Sequence, residues 1–354
     1  MDIDADDPHG NYNDGNRAFL QAFMNRGQLS FEEGRKILAA IFTVQSRAEV
    51  RPAEVTQEDF ESYISAAADA LSPFDYEIRS TQHQLTKEKI YAVVNSMSDP
   101  LTQSATIRTQ EEIFYIKRLL DAMFETHNTR RREVMAITSI QAMEKKVLKG
   151  VNRPANDDSQ SAVDKGLTGG EAEKLLEKLE AEKWLERSKQ GFYRLSPRAL
   201  MELRSWLVEA YNEPIQEGED ADEWQRIKFC EACKEIVTIG QRCAELDCNV
   251  RLHNICEAAY WNSRPNKQCP RCETEWDGQH YVGQKAVTTT EEYLKGKRRS
   301  GGVKRSRAAD DEEVPVAESS NRRSRRASPE PEEEEEEEEE QEKEAEAEAE
   351  DDDE

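Results

Sequence analysis

The chain has 354 residues, of which 36% are hydrophobic, and a formal net charge of -25 at neutral pH. A run of about 18 apolar residues is missing from the sequence, which excludes a membrane-spanning helix. Residues 1–16 are acidic and lack the basic start and apolar core of a secretory signal, so we expect a disordered N-terminus and an intracellular protein.

Helical patterns dominate the sequence from residue 17 onward. Ser30 and Glu33 have the spacing of a capping box, in which each side chain bonds the backbone amide of the other residue. Thr56 and Thr109 mark the predicted starts of two further amphipathic helices. Two short strands are predicted between these helices, at residues 76–80 and 89–95. Together these elements predict a first winged-helix-like domain over residues 17–130.

A helix, a hairpin and a second helix form the clearest pattern before the cysteines. Thr168 begins a second capping box, and Gly191 is the predicted hairpin turn. Pro197 predicts the start of the last helix, because the fixed φ of proline suits a first helical turn. This order is typical of a winged helix and predicts a second domain over residues 131–212. The fold class is therefore α+β and mainly helical.

Winged helices often bind DNA, but the charge of the predicted helix argues against direct binding. Residues 171–183 contain five glutamates and three lysines, whereas a helix lying among DNA phosphates is expected to be basic. We therefore expect this domain to dock a protein and to associate with DNA only indirectly.

All seven cysteines lie between residues 230 and 272, after a predicted linker at residues 213–226. Their pattern is C-x2-C-x9-C-x4-C-x4-H-x2-C-x12-C-x2-C, with a histidine completing the third pair. Tetrahedral zinc takes four thiolate or imidazole ligands, so eight ligands in four pairs predict two closed zinc sites within a finger at residues 227–285. The eight ligands are Cys230, Cys233, Cys243, Cys248, His253, Cys256, Cys269 and Cys272.

The alternatives to two zinc sites are a disulfide framework and a single site with spare thiols. An odd number of cysteines in an intracellular chain argues against disulfides.

Two closed sites leave neither an open metal position for a water nor a free thiol for a covalent intermediate. A reaction promoted by this protein therefore depends on positioning partners that carry the chemistry.

Most of the acidity belongs to the end of the chain. Residues 310–354 contain 24 acidic and 5 basic side chains, a net charge of -19 out of -25, and include nine consecutive glutamates. We predict a disordered tail over residues 286–354, basic at first and then acidic. Its basic clusters at residues 295–307 and 322–326 are interpreted as nuclear import signals, with a solvated linker as the alternative.

The ligand order and the H-x2-C pair resemble the cross-brace zinc fingers of the RING and PHD families. In those families the first and third ligand pairs share one ion, and the second and fourth pairs share the other. The resemblance implies one zinc ion on Cys230, Cys233, His253 and Cys256, and a second on Cys243, Cys248, Cys269 and Cys272.

RING fingers dock a ubiquitin-conjugating enzyme, whereas PHD fingers bind histone tails. The four-residue gaps on both sides of Cys248 look more like PHD fingers. PHD fingers usually carry a tryptophan two residues before the seventh ligand, where this chain has Lys267. A predicted helix after Cys256 and a proline at position 270 look more like RING fingers.

The resemblance to RING fingers implies a shallow apolar groove for the conjugating enzyme, formed by Ala232, Trp261 and Pro270. Packing in the local core is the alternative role for Trp261. Ala232 is small where RING ligases often have isoleucine or leucine, and Glu273 stands where they often have a basic residue. These departures point to an activity that is weak or depends on a partner.

Two winged-helix-like units, the stretch SPRALMELR at residues 196–204 and a variant RING resemble the non-SMC element 1 family of the Smc five–six chromosome-maintenance complex. The resemblance spans about residues 17–285. It implies a nuclear DNA-repair role, ubiquitin ligase activity, and a MAGE-type partner bound by the winged helices beside other subunits of the complex. The alternatives are a PHD-like chromatin reader and an architectural docking subunit without ligase activity.

Overall fold

The computed structural model describes residues 12–95, 108–149, 165–212, 224–264 and 266–295. The predicted acidic tail, the second basic cluster, most of the first cluster and most of the predicted linker lie outside these residues. The described residues form three antiparallel sheets of three strands each, one in each of three domains. Within these ranges, no helix is long and apolar enough to cross a membrane.

The first domain has the element order of a winged helix, with the sheet order β1-β3-β2. Its elements are α1 (Asp14–Arg26), β1 (Gln28–Ser30), α2 (Phe31–Ser46), α3 (Gln57–Leu71), β2 (Tyr76–Gln82) and β3 (Lys89–Asn95). Its core contains aromatic rings in edge-on contact, with the ring centroid of Phe60 lying 6.1 Å from that of Phe19 and 5.3 Å from that of Tyr91.

Helix α1 begins inside the segment that we predicted to be disordered. The side chain of Asn13 accepts hydrogen bonds from the amides of Gly15 and Asn16 at 2.8 and 3.2 Å, which caps the helix. Phe19 and Phe23 are fully buried one and two turns further on. The cap and the buried rings order this segment despite its acidic sequence.

Capping boxes are present at Ser30 and Thr168, as predicted, and also at Thr109, which was predicted as a helix start; each has a glutamate as the reciprocal partner. Thr56 caps α3 in the same way with Asp59. Such caps satisfy the free backbone amides of a first helical turn. Because the capping residues have a fixed spacing, the start of a helix can be predicted from the sequence.

The second domain repeats the winged-helix order, with the sheet order β4-β6-β5. Its elements are α4 (Gln110–Asp121), β4 (Ile137–Thr138), α5 (Ser139–Ala142), α6 (Lys145–Lys149), α7 (Gly169–Ala181), β5 (Leu185–Arg187), β6 (Phe192–Leu195), α8 (Pro197–Glu202) and α9 (Arg204–Tyr211). Gly191 adopts a positive φ of 83° in the hairpin turn, as its position predicted. The single last helix of the prediction is divided at Leu203 into α8 and α9.

Helix α4 packs in the second core, although the predicted boundary between residues 130 and 131 assigned it to the first domain. Tyr115 is fully buried in one cluster with Leu175 of α7, and its hydroxyl donates to the carbonyl of Ala142 at 3.1 Å. An amphipathic stripe predicts a helix but leaves open which sheet the helix covers. We therefore propose that the second domain begins ahead of α4.

The third domain is small, with the sheet order β8-β7-β9. Its elements are β7 (Gly240–Arg242), β8 (Arg251–Leu252), α10 (Asn254–Asn262), β9 (Tyr281–Val282) and α11 (Lys285–Thr288). Cys256 lies inside α10, whereas we predicted that the helix would begin after Cys256. Residues 291–295, which we predicted to be part of the disordered tail, are also helical. Glu292 in this segment forms an ion pair with Arg132 at 3.3 Å.

The second and third domains share one hydrophobic core. Leu207 and Tyr211 of α9 belong to the same buried cluster as Ile227 and Leu252. The side chain of Asn212 accepts from the amide of Ile227 at 2.7 Å and donates to its carbonyl at 2.9 Å. The cysteine-rich segment is thus packed on the second winged helix.

Candidate metal centre

Two backbone turns of the same construction carry the first and last cysteine pairs. In the first, the amide of Cys230 donates to the carbonyl of Glu235 at 2.8 Å, and the amide of Lys234 donates back to Cys230 at 2.9 Å. In the second, Cys269 pairs with the carbonyl of Thr274 at 2.8 Å, and the amide of Glu273 donates to Cys269 at 3.0 Å. In both turns the residue directly after the second cysteine is left-handed, with φ of 60° at Lys234 and 59° at Glu273. Each turn presents two thiols to one point.

The first and third ligand pairs meet in one cluster. The Sγ atom of Cys233 lies 3.2 Å from Nδ1 of His253. His253 precedes α10 and Cys256 lies in its first turn, so the helix start brings these two ligands together. The ligand atoms of the cluster lie within 4.8 Å of one another, and they belong to Cys230, Cys233, His253 and Cys256.

The tautomer of His253 is fixed by its second ring nitrogen. Nε2 lies 3.1 Å from the carbonyl oxygen of Ile236, which only accepts hydrogen bonds, so the proton is on Nε2. The lone pair of Nδ1 therefore faces the three thiols. A ring held in this way is typical of a metal-binding histidine.

The second and fourth pairs meet in the other cluster. Cys243 and Cys272 bring their sulfur atoms to 3.4 Å, and Cys248 and Cys269 to 3.6 Å. The four ligand atoms again lie within 4.8 Å of one another, and they belong to Cys243, Cys248, Cys269 and Cys272. The cross-brace arrangement that the resemblance implied is the one that the structure shows.

Three thiolates with one imidazole, and four thiolates, are the donor sets of closed tetrahedral zinc sites. The protein binds two zinc ions through these clusters. A segment this small has little core of its own, so the ions supply much of its folding free energy. Closed sites give zinc a structural role.

The residues predicted to contact a conjugating enzyme differ in exposure. Ala232 and Pro270 are exposed, each between the two thiols of a cysteine turn. Trp261 is only 6% exposed and packs on Tyr260 and Trp276, with ring centroids 5.0 and 5.6 Å away. Most of the Trp261 surface thus belongs to the local core, and docking stays a prediction for its exposed edge with Ala232 and Pro270.

Trp276 anchors the finger core, although no pattern in the sequence singled it out. It is 5% exposed, and its Nε1 donates to the side-chain oxygen of Gln241 at 2.8 Å. Gln241 in turn donates to Glu257 at 2.6 Å. An aromatic residue soon after the last ligand is a weak signal for this role.

A buried charged cluster joins the metal centre to the second winged helix. Glu133, in the segment before β4, is fully buried and accepts from Nε of Arg251 at 2.7 Å and from Nζ of Lys228 at 2.9 Å. Nη1 of Arg242 lies 3.7 Å from the same carboxylate. Arg251 also donates to the carbonyl of the zinc ligand Cys248 at 2.7 Å. The cluster therefore holds the zinc ligand Cys248 in place and also fixes the metal-binding domain against the second winged helix.

At the Glu133 carboxylate, the effect of charge pairing on the pKa exceeds the effect of burial. Burial alone raises the pKa of Glu133, but hydrogen bonding and the charges of Arg251, Lys228 and Arg242 lower that pKa to about 2. Glu133 is therefore ionised at neutral pH and balances part of the surrounding positive charge. The partners are far apart in sequence, so no local motif pointed to them.

Fold and site together define a RING-like zinc protein built on two winged-helix domains. The family model described as "Nse1 non-SMC component of SMC5-6 complex" matches residues 16–203, more than half of the chain, and a RING-like domain model matches residues 230–272. The chain belongs to this Nse1 family of non-SMC components, which confirms the family resemblance noted in the sequence.

Relatives in several species match most of the chain. The protein named "Non-structural maintenance of chromosomes element 1 homolog" of Mus musculus is 25% identical over 267 residues, which is 75% of this chain and 85% of that protein. The Schizosaccharomyces pombe protein of similar name is 24% identical over 238 residues, 65% of this chain and 85% of that protein. A solved structure titled "Nse1-Nse3-Nse4 complex" matches with a TM-score of 0.55 at 21% identity, covering 78% of this chain and 99% of that chain. That likeness shows a shared fold.

Proposed function

We propose that the protein is a RING-type ubiquitin ligase subunit of a chromosome-maintenance and DNA-repair complex in the nucleus. The observation that carries this proposal is the cross-brace metal centre, whose two ligand clusters are closed, in a chain of the Nse1 family. Closed zinc sites supply no nucleophile or open metal position, so ligase activity rests on holding a charged conjugating enzyme in a reactive pose.

The exposed residues at the tips of the two cysteine turns are evidence for the proposed docking surface. Ala232 and Pro270 occupy these tips, and the hydrogen bonds of each turn hold the backbone in one conformation. Rigid apolar positions suit docking because little conformational entropy is lost on binding. Trp261 contributes its exposed edge to this surface.

The winged helices dock subunits of the complex, including one of the MAGE type. The exposed face of α7 carries three glutamates and two lysines, at Glu171, Glu173, Lys174, Glu177 and Lys178. This mixed and net acidic face suits a protein partner better than DNA phosphates. The solved structure with a similar fold is titled as a complex with Nse3 and Nse4, and we extend that assembly to this chain.

The test is discharge of ubiquitin from charged conjugating enzymes by the full-length protein, alone and with its MAGE-type partner. Ala232→Asp and Pro270→Asp place a charge on the proposed docking surface without touching a ligand. We expect acceleration by the wild type and its loss in both variants at unchanged zinc content. Gln279→Asp, an exposed change outside both turns, is the matched control. No acceleration across a broad enzyme panel, with the partner present, would overturn the ligase assignment.

An architectural subunit without ligase activity is the second candidate. The observation that favours it is the burial of Trp261 at 6% exposure, together with the core shared between finger and winged helix. In that case the metal centre only shapes a docking surface. Complex assembly that depends on zinc, with DNA repair unaffected by Ala232→Asp, would identify this role.

A further inference from the structure

The hairpin of the first winged helix reaches into the metal-binding domain. Its turn, between β2 and β3, carries Gln84, whose side chain is 8% exposed although it stands at the tip of a hairpin. It lies against the backbone of residues 236–239, which connect the first cysteine turn to β7. Two segments more than 150 residues apart in sequence thus meet at this point.

Both polar atoms of Gln84 bond this connecting segment. Its Nε2 donates to the carbonyl of Ile236 at 2.9 Å. Its Oε1 accepts from the amides of Thr238 and Ile239 at 3.1 and 2.8 Å, and from the Thr238 hydroxyl at 3.2 Å. A buried amide with these partners fixes the segment much as a paired strand does.

The carbonyl of Ile236 is shared with a zinc ligand. It accepts from Nε2 of Gln84 at 2.9 Å and from Nε2 of His253 at 3.1 Å. The first bond holds the oxygen in place, and the second uses that oxygen to aim Nδ1 of His253 at the thiols. Ile236 and His253 are each 2% exposed, so water has little access to replace either bond.

The hairpin tip is itself held rigidly. Nδ1 of His83 lies 3.3 and 3.2 Å from the amides of Leu85 and Thr86, which closes the turn. Its Nε2 lies 3.1 Å from Glu186 of the second winged helix, and Arg194 donates to Glu186 at 2.9 Å. Gln84 therefore approaches the metal domain from a position that both winged helices fix.

We propose that Gln84 is a positioning residue for the zinc site of Cys230, Cys233, His253 and Cys256, so that the first winged helix tunes zinc binding in the finger. Residues that orient a metal-bound histidine typically change metal affinity by roughly 10–100-fold when they are replaced. The four-cysteine site receives its outer support from Arg251 through the carbonyl of Cys248. Its affinity is independent of Gln84.

The test measures metal binding site by site in the full-length protein, and it does not depend on ligase activity. Cobalt replaces zinc, because the absorption bands of cobalt differ between a site with three thiolates and one imidazole and a site with four thiolates. Gln84→Ala removes all the bonds of the side chain. Gln84→Glu keeps the shape and the acceptor but loses the donor to Ile236. Gln82→Ala, at an exposed position of the same hairpin, is the control.

We expect both Gln84 variants to weaken metal binding at the histidine-containing site by roughly 10–100-fold and to leave the four-cysteine site unchanged. Exchange of the His253 Nε2 proton with solvent, followed by NMR, should accelerate in the same variants. Equal affinities for Gln84→Ala and Gln82→Ala would overturn the proposal. Equal weakening of both sites would also overturn it, because the effect would then be a general loss of stability.

Discussion

Arg251 and Glu133 form an ion pair in which both side chains are fully buried and lie 118 residues apart in sequence. One residue belongs to the sheet of the metal domain and the other to the second winged helix. Lys228 and Arg242 surround the same carboxylate, so three basic side chains share one acidic partner. Glu133 is therefore the one acidic side chain at the centre of this buried cluster, which joins the metal domain to the second winged helix alongside their shared hydrophobic core.

Replacing Glu133 by glutamine should be strongly destabilising. The variant keeps the size of the side chain but leaves buried cations without a counter-charge, which typically costs about 3–5 kcal/mol of unfolding free energy. Denaturant unfolding at pH 7 measures this loss. Glu292→Gln breaks an exposed pair with Arg132 and should change stability little. Similar effects of the two substitutions would contradict the role given to Glu133.

Gly34 of α2 is expected to resist substitution because a ring lies against it. A Cβ atom at this position would lie 2.6 Å from Cδ2 of Phe60, in the core of the first domain. Gly34→Ala should lower the unfolding free energy by about 1–3 kcal/mol through overpacking. Around Gly170 of α7, the described part of the chain leaves open space, so Gly170→Ala should be neutral or stabilising. Thermal unfolding of the two variants gives the comparison, and a stable Gly34→Ala protein would refute it.

His127, six residues after the end of α4, should make stability depend on pH. Burial lowers its pKa below the usual 6.5, with nearby Lys146 acting in the same direction and Glu144 opposing. The unfolded chain therefore binds a proton at a pH where the folded protein does not. Stability from this group is present above about pH 6.5 and is lost as the pH falls below it.

Unfolding free energies between pH 7 and 5 test this dependence. His127→Gln should show a shallower fall than the wild type, since it has no proton to gain. Gln279→Ala, at an exposed position without an ionisable group, should follow the wild type. Parallel curves for the wild type and His127→Gln would show that the group does not contribute.

Removal of zinc should unfold the metal domain before the first winged helix. The metal domain depends on its ions, whereas the first domain has a separate core around Phe19, Phe60 and Tyr91. Hydrogen exchange with a chelator present should show early loss of protection at residues 224–264 and persistent protection in α1 and α3. Simultaneous loss throughout the chain would mean that the domains unfold as one unit.

Local signals in the sequence predicted most of the elements and the metal centre. Capping boxes at Ser30, Thr109 and Thr168 depend on residues three apart, and the cysteine pairs depend on fixed short spacings. The two ligand sets were predicted through their resemblance to cross-brace fingers, and the structure groups them in the same way.

Relationships between distant segments were not predicted. The assignment of α4 to the second core, the buried pair of Glu133 with Arg251 and the contact of Gln84 with Ile236 all join distant parts of the chain. Single polar residues such as these have no periodicity, and their role depends on which surfaces meet. Trp276 was missed for the same reason, because its partner Gln241 lies 35 residues earlier.

The buried pair also orders events during synthesis. Glu133 leaves the ribosome 118 residues before Arg251, so the newly made second winged helix holds a carboxylate whose principal partner does not yet exist. Without the cysteine-rich segment, that carboxylate lacks Arg251, Lys228 and Arg242, the three basic side chains that surround it in the folded chain. The second winged helix therefore completes its packing only when the cysteine-rich segment folds against it, so the later domain finishes the earlier one.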